Sequence, residues 1–278
     1  MTIFQAIVLA LVQAVTEFLP VSSSGHLILI PRLLKWPDQG LEFDIATNSG
    51  TLLAVLAYFR REIADMARAV VASLGRRVPG VTPDRAPDAR LFWLLVVATI
   101  PAGVAGLLLK HWIAGSARDP RLIAATAIFY GALLLFADRS RAGSGTSDGK
   151  EIEALTLGAA LLIGCAQALA LVPGTSRSGV TITAALLLGF ARPAAARFAF
   201  LLAIPIGLLL AAKQVFDCLR GEPLGVEPEL LAIGIGVSAV AGYAVISFLL
   251  GWVRRRSLAP FALYRIGLGV LLLLLFAR

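Results

Sequence analysis

Charged residues and cysteine are scarce in this chain, and each shortage narrows what the protein can be. Lys, Arg, Asp and Glu make up only 15% of the 278 residues, whereas a typical soluble domain has about 25%. The two cysteines, Cys165 and Cys218, stand apart from each other and form no metal-binding or disulfide spacing. These shortages argue against an ordinary soluble domain, a disulfide framework and a cysteine metal site.

Apolar sequence and positive charge are what the chain has instead. Hydrophobic residues make up 58% of it, its mean hydropathy is +0.85, and its formal net charge is +8. In a soluble protein this charge would suggest nucleic acid. The sequence has no RNP, zinc-finger or helix-turn-helix pattern, however, and its arginines lie between apolar runs. We therefore expect an integral membrane protein, surrounded by membrane lipid, with no nucleic-acid partner.

Six apolar segments are long enough to cross a bilayer, some with tilt or local thinning. Four others form two pairs: Thr2–Leu19 with the short Leu27–Leu34, and Leu155–Val172 with the short Val180–Phe190, each pair joined by a Pro, Gly and Ser cluster. Each pair predicts a re-entrant helical hairpin, and two ordinary helix pairs with surface turns are the alternative. The predicted spans are Leu41–Phe59, Leu91–Leu109, Leu122–Ala137, Phe198–Phe216, Leu230–Leu250 and Leu258–Ala277.

The two predicted hairpins resemble each other in sequence. Moved by 154 positions, Gln13–Gly25 lies on Gln167–Gly179 with five identical residues, and three predicted spans follow each hairpin. This order is typical of internal repeats in membrane transporters. We predict an all-α polytopic membrane protein with an inverted-topology repeat, six spanning helices and two re-entrant helical hairpins. One membrane domain would fill residues 1–278, with the first repeat in 1–137 and the second in 154–278.

The distribution of positive charge predicts the orientation in the membrane. In the inverted arrangement, fifteen of the 25 Lys and Arg lie on the side away from the first hairpin and eight on its side. The side with fifteen should be cytoplasmic, which puts both termini outside. The alternative topology with ten full spans would also put both termini on one side of the membrane, so the charge distribution does not exclude it. The segments Arg60–Arg90 and Ser140–Lys150 are expected to be linkers, and we expect no soluble domain.

The first polar cluster contains residue types that support catalysis. Gln13 and Glu17 share a helix face, and a carboxylate inside a membrane segment indicates function unless it reaches interfacial water. Their oxygens suit a divalent cation such as Mg²⁺ or Ca²⁺. Ser23 and His26 supply a hydroxyl and an imidazole for nucleophilic or general-base catalysis, although most such pairs are a helix cap and a structural histidine.

The second polar cluster is Pro173–Thr181, with the sequence PGTSRSGVT, and its central residue is Arg177. A guanidinium matches phosphate oxygens, and an arginine without a partner is costly inside a membrane. Arg177 therefore either binds phosphate or pairs with Glu17. Hairpins entering from opposite faces would bring the two clusters together, and the combined set of carboxylate, hydroxyl, imidazole and guanidinium fits phosphoryl transfer.

Three further polar residues have less definite roles. Asp44 and Asn48 are four residues apart on the third apolar segment and either support the site or lie at the membrane interface. Arg265 either contacts a phosphate or, as we favour, a backbone carbonyl of a neighbouring helix.

Three segments resemble the bacterial undecaprenyl-diphosphatase family, also called the bacitracin-resistance protein family. They are Gln13–His26 (QAVTEFLPVSSSGH), Pro173–Thr181 (PGTSRSGVT) and Phe261–Gly269 (FALYRIGLG), and the resemblance covers essentially the whole chain. The first matches (Glu/Gln)-x-x-x-Glu followed by Pro-x-Ser-Ser-(Ser/Thr)-Gly-His, and the second matches Pro-Gly-x-Ser-Arg-Ser-x-x-Thr. One departure is that Gln13 stands where many members have Glu, which leaves one carboxylate at the site.

The resemblance implies hydrolysis of undecaprenyl diphosphate to undecaprenyl phosphate and inorganic phosphate. This reaction would recycle the lipid carrier for peptidoglycan synthesis and give bacitracin resistance. The resemblance also implies a bacterial inner-membrane location, an active site open to the periplasmic side, and dependence on a divalent cation, Mg²⁺ or Ca²⁺.

The resemblance further implies roles for individual residues. Glu17 would be the metal-binding or catalytic carboxylate with Gln13 as a second metal ligand, and Arg177 would hold the diphosphate. Either Ser23 attacks with His26 as its base, or His26 attacks directly. The remaining expected substrate-binding residues are Ser22, Ser24, Gly25, Gly174, Thr175, Ser176, Ser178, Gly179 and Thr181.

Two other classes of function compete with a phosphatase. A transporter or flippase for polyprenyl phosphate is the main alternative, because inverted repeats and broken helices suit it equally well. A structural membrane protein is the other. A carrier needs the arginine and the helix ends but no nucleophile, so the complete set of Ser, His, Glu and Arg favours an enzyme. A homodimer is a further partner that the sequence leaves open.

Overall fold

The computed structural model describes residues 1–74, 86–109, 119–140, 149–220 and 225–276, and within these ranges the chain forms eleven α-helices. A short 3-10 helix, Ile152–Ala154, lies between the sixth and seventh of them, and the described residues contain no strand. The helices are α1 (Ile3–Phe18), α2 (Ser23–Leu34), α3 (Leu41–Tyr58), α4 (Arg60–Ser73), α5 (Ala86–Leu108), α6 (Pro120–Arg139), α7 (Leu157–Leu169), α8 (Arg177–Leu187), α9 (Arg192–Leu219), α10 (Pro228–Val253) and α11 (Ala259–Phe276).

Five of these helices are long and apolar enough to cross a membrane: α5, α6, α9, α10 and α11. They coincide with five of the six predicted spans, so the prediction of an all-α membrane protein is confirmed. The sixth predicted span, Leu41–Phe59, forms the 18-residue helix α3. It is not among the five, because Glu42, Asp44 and Asn48 lower the hydropathy of its first half.

The prediction of a linker from Arg60 to Arg90 is wrong at both ends. Arg60–Ser73 forms α4, and α5 already begins at Ala86. One face of α4 is buried through Met66 and Ala69 while its arginines stay exposed, as expected of an amphipathic surface helix. The interspersed arginines conceal this periodicity in the sequence. Residues 75–85 of this segment, and residues 141–148 of the predicted join Ser140–Lys150, lie outside the described residues.

A buried ion pair between Asp138 and Arg192 connects three helix ends. Arg192 also donates through Nη2 to the Asp138 carbonyl (3.0 Å), and the Leu258 amide donates to Asp138 Oδ2 (3.1 Å). Asp138 is 1% exposed and Arg192 5%. The end of α6 is thereby fixed to the starts of α9 and α11.

We expect Asp138→Ala to lower the free energy of unfolding by about 3–5 kcal/mol, because Arg192 would stay buried without its counter-ion. Unfolding of the purified protein in detergent measures the change. Asp65→Ala is the control, since Asp65 and Arg68 form an exposed pair within α4, and we expect less than about 1 kcal/mol there. Similar losses in both variants would contradict the role given to Asp138.

The helix pairs α1–α2 and α7–α8 correspond to the two predicted hairpins, and each pair turns through a serine with positive φ. Ser22 precedes α2 with φ 76°, and Ser176 precedes α8 with φ 66°. In each case the Oγ lies 3.3 Å from that of the serine two residues later, Ser24 or Ser178. A left-handed backbone costs a residue other than glycine about 1–2 kcal/mol. Ser22 and Ser176 thus share an unfavourable conformation at positions 154 residues apart.

The two turns contact each other through a pair of side chain to backbone hydrogen bonds. Ser24 Oγ accepts from the Gly174 amide (3.2 Å), and Ser178 Oγ donates to the Leu19 carbonyl (3.3 Å). Each turn therefore supplies a serine that satisfies a backbone group of the other, as buried polar groups require. The polar clusters of the two halves meet at this junction.

Candidate active site

Glu17 is the centre of the polar contacts at this junction. Its Oε2 accepts hydrogen bonds from Ser23 Oγ (2.9 Å) and Gln13 Nε2 (3.1 Å), and its Oε1 accepts one from Arg177 Nη2. The Glu17 side chain is 9% exposed and that of Arg177 is 23% exposed. Burying a carboxylate costs free energy unless it is hydrogen-bonded and paired, and Glu17 has both kinds of partner. The structure therefore brings together the carboxylate, one candidate nucleophile and the guanidinium.

Neighbouring hydrogen bonds fix the orientation of the Gln13 amide. Asn48 Nδ2 donates to the Asp44 carbonyl (2.9 Å), so its Oδ1 faces Gln13 and accepts from Gln13 Nε2 (2.9 Å). The same Nε2 donates to Glu17. Glu17 Oε2 and Asn48 Oδ1 are both acceptors, and therefore the Gln13 side chain turns its NH₂ group, not its oxygen, toward the carboxylate.

A cavity of about 230 Å³ lies beside this cluster. Glu17, Ser23 and Arg177 all line it, so the contacting carboxylate, hydroxyl and guanidinium are reachable by one ligand. Its other polar lining residues are Ser24, Asn48, Ser49, Thr51, Gln167 and Ser176. Apolar side chains cover much of the rest, chiefly Phe18, Ile45, Leu52, Val55, Ala102, Leu171, Ala203, Ile206 and Leu210. A charged head group with an apolar tail fits a cavity of this character.

Arg265 holds the loop before α8 in place through hydrogen bonds to its backbone carbonyls. It is fully buried, and its Nη2 donates to the carbonyls of Gly174 (2.7 Å) and Thr175. Thr126 Oγ1 donates to the Pro173 carbonyl (2.7 Å). At Gly174, which has φ +84°, a Cβ would lie 2.1 Å from Thr126 Oγ1, so only glycine fits. Of the two predicted roles for Arg265, the carbonyl contact is confirmed, although the acceptors belong to a loop and not to a helix.

His26 is placed away from the cavity. Its Nδ1 lies 2.8 Å from the Ser22 carbonyl and must donate to it, so in a neutral ring Nε2 accepts from the Tyr264 hydroxyl at 2.7 Å. The two rings also stack, with centroids 5.7 Å apart. His26 and Tyr264 line a separate apolar groove between α1, α2 and α11. Ser23 is thus hydrogen-bonded to Glu17, and the imidazole that the sequence offered as its base binds elsewhere.

The remaining predicted substrate-binding residues fall into two groups. Ser24 and Ser176 line the cavity beside Ser23 and Arg177. The others surround the two turns and are not among its lining residues: Ser22, Gly25, Gly174, Thr175, Ser178, Gly179 and Thr181. Their hydrogen bonds within the protein are with the opposite turn, with Arg265 or with their own turn and helix. A direct role in binding substrate stays a prediction.

Two cavity residues had only a weak signal in the sequence. The sequence indicates a supporting or interfacial role for Asn48, and in the structure its side chain fixes the orientation of the Gln13 amide. The sequence singles out Gln167 only as the repeat equivalent of Gln13, and it lines the cavity together with Glu17 and Ser23. Tyr264, within the third family segment, is the hydrogen-bond partner of His26. Spacing along a helix could place each on a face but could not identify its partner.

Comparison with known proteins agrees with the motifs. The family model described as bacitracin resistance protein BacA matches residues 6–271. An undecaprenyl-diphosphatase of Magnetococcus marinus is 49% identical over 275 residues, covering 98% of this chain and 98% of that protein. Undecaprenyl-diphosphatase 2 of Stutzerimonas stutzeri is 48% identical over 277 residues, covering 100% and 99%. With nearly complete coverage in both comparisons, the chain belongs to the bacitracin resistance protein BacA family.

Proposed function

We propose that this protein is an integral membrane phosphatase that hydrolyses undecaprenyl diphosphate to undecaprenyl phosphate and inorganic phosphate. One observation carries the proposal: Glu17 joins the Ser23 hydroxyl and the Arg177 guanidinium at the wall of a cavity that is otherwise largely apolar. The names of the two relatives support the same reaction. In a bacterial cell, it would recycle the lipid carrier for peptidoglycan synthesis and give bacitracin resistance.

In the proposed mechanism Ser23 is the nucleophile and Glu17 is its base. The Ser23 hydroxyl already donates to Glu17 Oε2 at 2.9 Å, within the distance for proton transfer. As the proton moves to Glu17, Ser23 Oγ bonds to the terminal phosphorus. The bond from that phosphorus to the bridging oxygen breaks, and its electron pair leaves with undecaprenyl phosphate. Water then attacks the phosphoserine, Glu17 returns a proton to Ser23 Oγ, and inorganic phosphate leaves.

Arg177 stabilises the phosphoryl oxygens in this mechanism. Its guanidinium has five N–H donors, of which Glu17 and the Ala203 carbonyl take two. The remaining donors are free to bind the charge that develops on the transferring phosphoryl group. His26 has a positioning role, because it holds the Ser22 carbonyl just before the first turn of α2. That turn carries Ser23.

The described residues offer few side chains that could hold a divalent cation. They contain no group of three or more His, Cys, Asp or Glu side chains placed to bind a metal. Glu17 already accepts from three donors, and Gln13 presents N–H groups to it. We therefore propose that Glu17 would be the only carboxylate available to a Mg²⁺ or Ca²⁺ ion at this cavity, and that the diphosphate oxygens of the substrate would have to supply most of the other ligands.

Gln13→Glu is expected to create a cation site that the wild type lacks. The new carboxylate would lie close to Glu17, and two adjacent carboxylates repel each other unless a cation lies between them. A Ca²⁺ concentration about 100 times its Kd would then stabilise the variant by about 2.7 kcal/mol. Thermal unfolding in detergent with and without Ca²⁺, and without substrate, measures this. The control is Gln13→Leu, and an equal Ca²⁺ effect on the wild type would contradict the proposal.

The proposed arrangement in the membrane is an inverted repeat, residues 1–137 and 154–278 of one membrane domain, with six spans that include α3. α1 and α7 have 16 and 13 residues, which correspond to about 24 and 20 Å and fall short of a hydrocarbon core of about 30 Å. Their length supports re-entrant hairpins, as do the matching serines before α2 and α8. By the excess of positive charge, both termini lie on the periplasmic side of the inner membrane. We propose that the cavity opens to the same side, as the resemblance to the undecaprenyl-diphosphatase family implies.

Phosphate release by the purified protein in detergent tests the function. A C55 prenyl diphosphate is the substrate, and release is measured with and without Mg²⁺ or Ca²⁺. Transport cannot occur in detergent, so release of inorganic phosphate distinguishes an enzyme from a carrier. No release from folded wild-type protein would refute the phosphatase and favour a polyprenyl-phosphate transporter, which the same hairpins suit.

A further inference from the structure

Gln167 is a buried residue of α7 whose amide has no partner. It is 2% exposed, and neither its Nε2 nor its Oε1 has a hydrogen-bond partner among the residues that the structure describes. It also lines the cavity that contains Glu17 and Arg177. Burying an amide without hydrogen bonds costs free energy, and native proteins rarely leave both of its polar atoms without partners. The position therefore calls for a partner that enters the cavity.

The first half of the chain shows what this amide lacks. Gln13 occupies the equivalent position 154 residues earlier, and its Nε2 donates to Glu17 and to Asn48. The residue equivalent to Glu17 in the second half is Leu171, which has no acceptor. The same glutamine is thus held by protein groups in one half and left without a partner at the cavity wall in the other.

The character of the cavity indicates what would bind Gln167. Among the polar groups around it, the Arg177 guanidinium can only donate, and the hydroxyls of Ser24 and Ser176 can donate as well as accept. The Ser23 hydroxyl already donates to Glu17. Its one carboxylate, Glu17, already has three donors. A ligand that satisfies this wall must bring several acceptor oxygens with negative charge, and a diphosphate does so.

We propose that Gln167 is a substrate-binding residue whose Nε2 donates a hydrogen bond to a non-bridging oxygen of the diphosphate. This assignment rests on the proposed function and adds a residue from α7 to its binding site. The first half then supplies the base and the nucleophile, and the second half supplies Arg177 and Gln167 to hold the anion. Gln167 is free to bind substrate because its half has Leu171 in place of the carboxylate.

The test compares Gln167→Leu with the wild type in substrate binding and in stability. Leucine has a similar volume and no polar atoms, so removing an amide without partners should leave the unfolding temperature equal or higher. Losing one hydrogen bond to a charged oxygen should raise KM and the inhibition constant of methylenediphosphonate about 10-fold, with a smaller change in kcat. Gln167→Glu should raise KM and the inhibition constant further, because the new carboxylate would repel the negatively charged diphosphate.

Two further variants make the result decisive. Cys165→Ala changes an exposed residue of the same helix, and we expect it to behave as the wild type. Gln13→Leu removes an amide with partners, so it should lower both the unfolding temperature and the activity. A lower unfolding temperature for Gln167→Leu with unchanged methylenediphosphonate binding would overturn the proposal and show a structural residue.

The failure of the proposed function would be recognised separately. A wild type that binds methylenediphosphonate in calorimetry but releases no phosphate would refute the phosphatase. Weaker binding by Gln167→Leu would still support the assignment of Gln167 in that case. Hydrolysis by the wild type with unchanged KM and unchanged inhibition in Gln167→Leu would refute the assignment alone.

Discussion

Ser23→Ala is expected to reduce phosphate release from a C55 prenyl diphosphate by at least about 10³-fold, because the variant lacks the attacking oxygen. The loss should appear in kcat, since Arg177 and the rest of the cavity still bind the substrate. Release of inorganic phosphate under saturating substrate measures it. The Ser23 hydroxyl donates a hydrogen bond to Glu17 in the protein without substrate. Removing it therefore deletes one hydrogen bond and changes the packing little, so the variant should still fold.

His26 provides the comparison for this variant. His26 is hydrogen-bonded to Tyr264 and the Ser22 carbonyl outside the cavity. We therefore expect His26→Ala to lower activity only by displacing Ser23, at a cost of at most about 100-fold. Tyr264→Phe, which removes the hydroxyl that His26 accepts from, should have a similar or smaller effect. A greater loss in His26→Ala than in Ser23→Ala would reverse the assignment and make the imidazole the nucleophile.

The course of the main helices could be predicted from the sequence because the signal is local. Twenty or so apolar residues must be helical in lipid, and five such segments are helices of sufficient length. α4 was missed because its apolar positions, among them Met66 and Ala69, alternate with arginines that indicated a loop. A surface helix of this kind depends on the neighbour it packs against, and a sequence pattern does not identify that neighbour.

The sequence singles out residues of the candidate site, but it does not show which of them contact each other. Ser23 and His26 are three residues apart on α2, which places them about 60° apart around the helix axis. That separation is enough for Ser23 to contact α1 and for His26 to contact α11. Similarly, the sequence offered the Gln13 oxygen as a metal ligand, but Asn48 turns the amide nitrogen toward Glu17. Such choices depend on contacts between residues far apart in the chain.

Arg177→Ala is expected to lower kcat/KM about 10³-fold or more, comparable to the loss of an arginine that stabilises a transferring phosphoryl group. Arg177→Lys should recover part of this activity, since it keeps the charge but not the planar fork of donors. Activity alone would not separate a substrate contact from the other role predicted for Arg177, which is a structural partner of Glu17. The two side chains do form an ion pair in the free protein.

Inhibitor binding separates the two roles of Arg177. If the guanidinium binds diphosphate, Arg177→Ala should weaken methylenediphosphonate binding by about 100-fold, equivalent to about 2.7 kcal/mol, in a protein that remains folded. Glu17→Gln is the matched variant, because it removes the negative charge that pairs with Arg177 and leaves the guanidinium free to bind the inhibitor. It should abolish turnover, since the base is lost, while inhibitor binding is kept or strengthened. A structural ion pair would give the opposite pattern, in which both variants lower the unfolding temperature alike and neither changes inhibitor affinity.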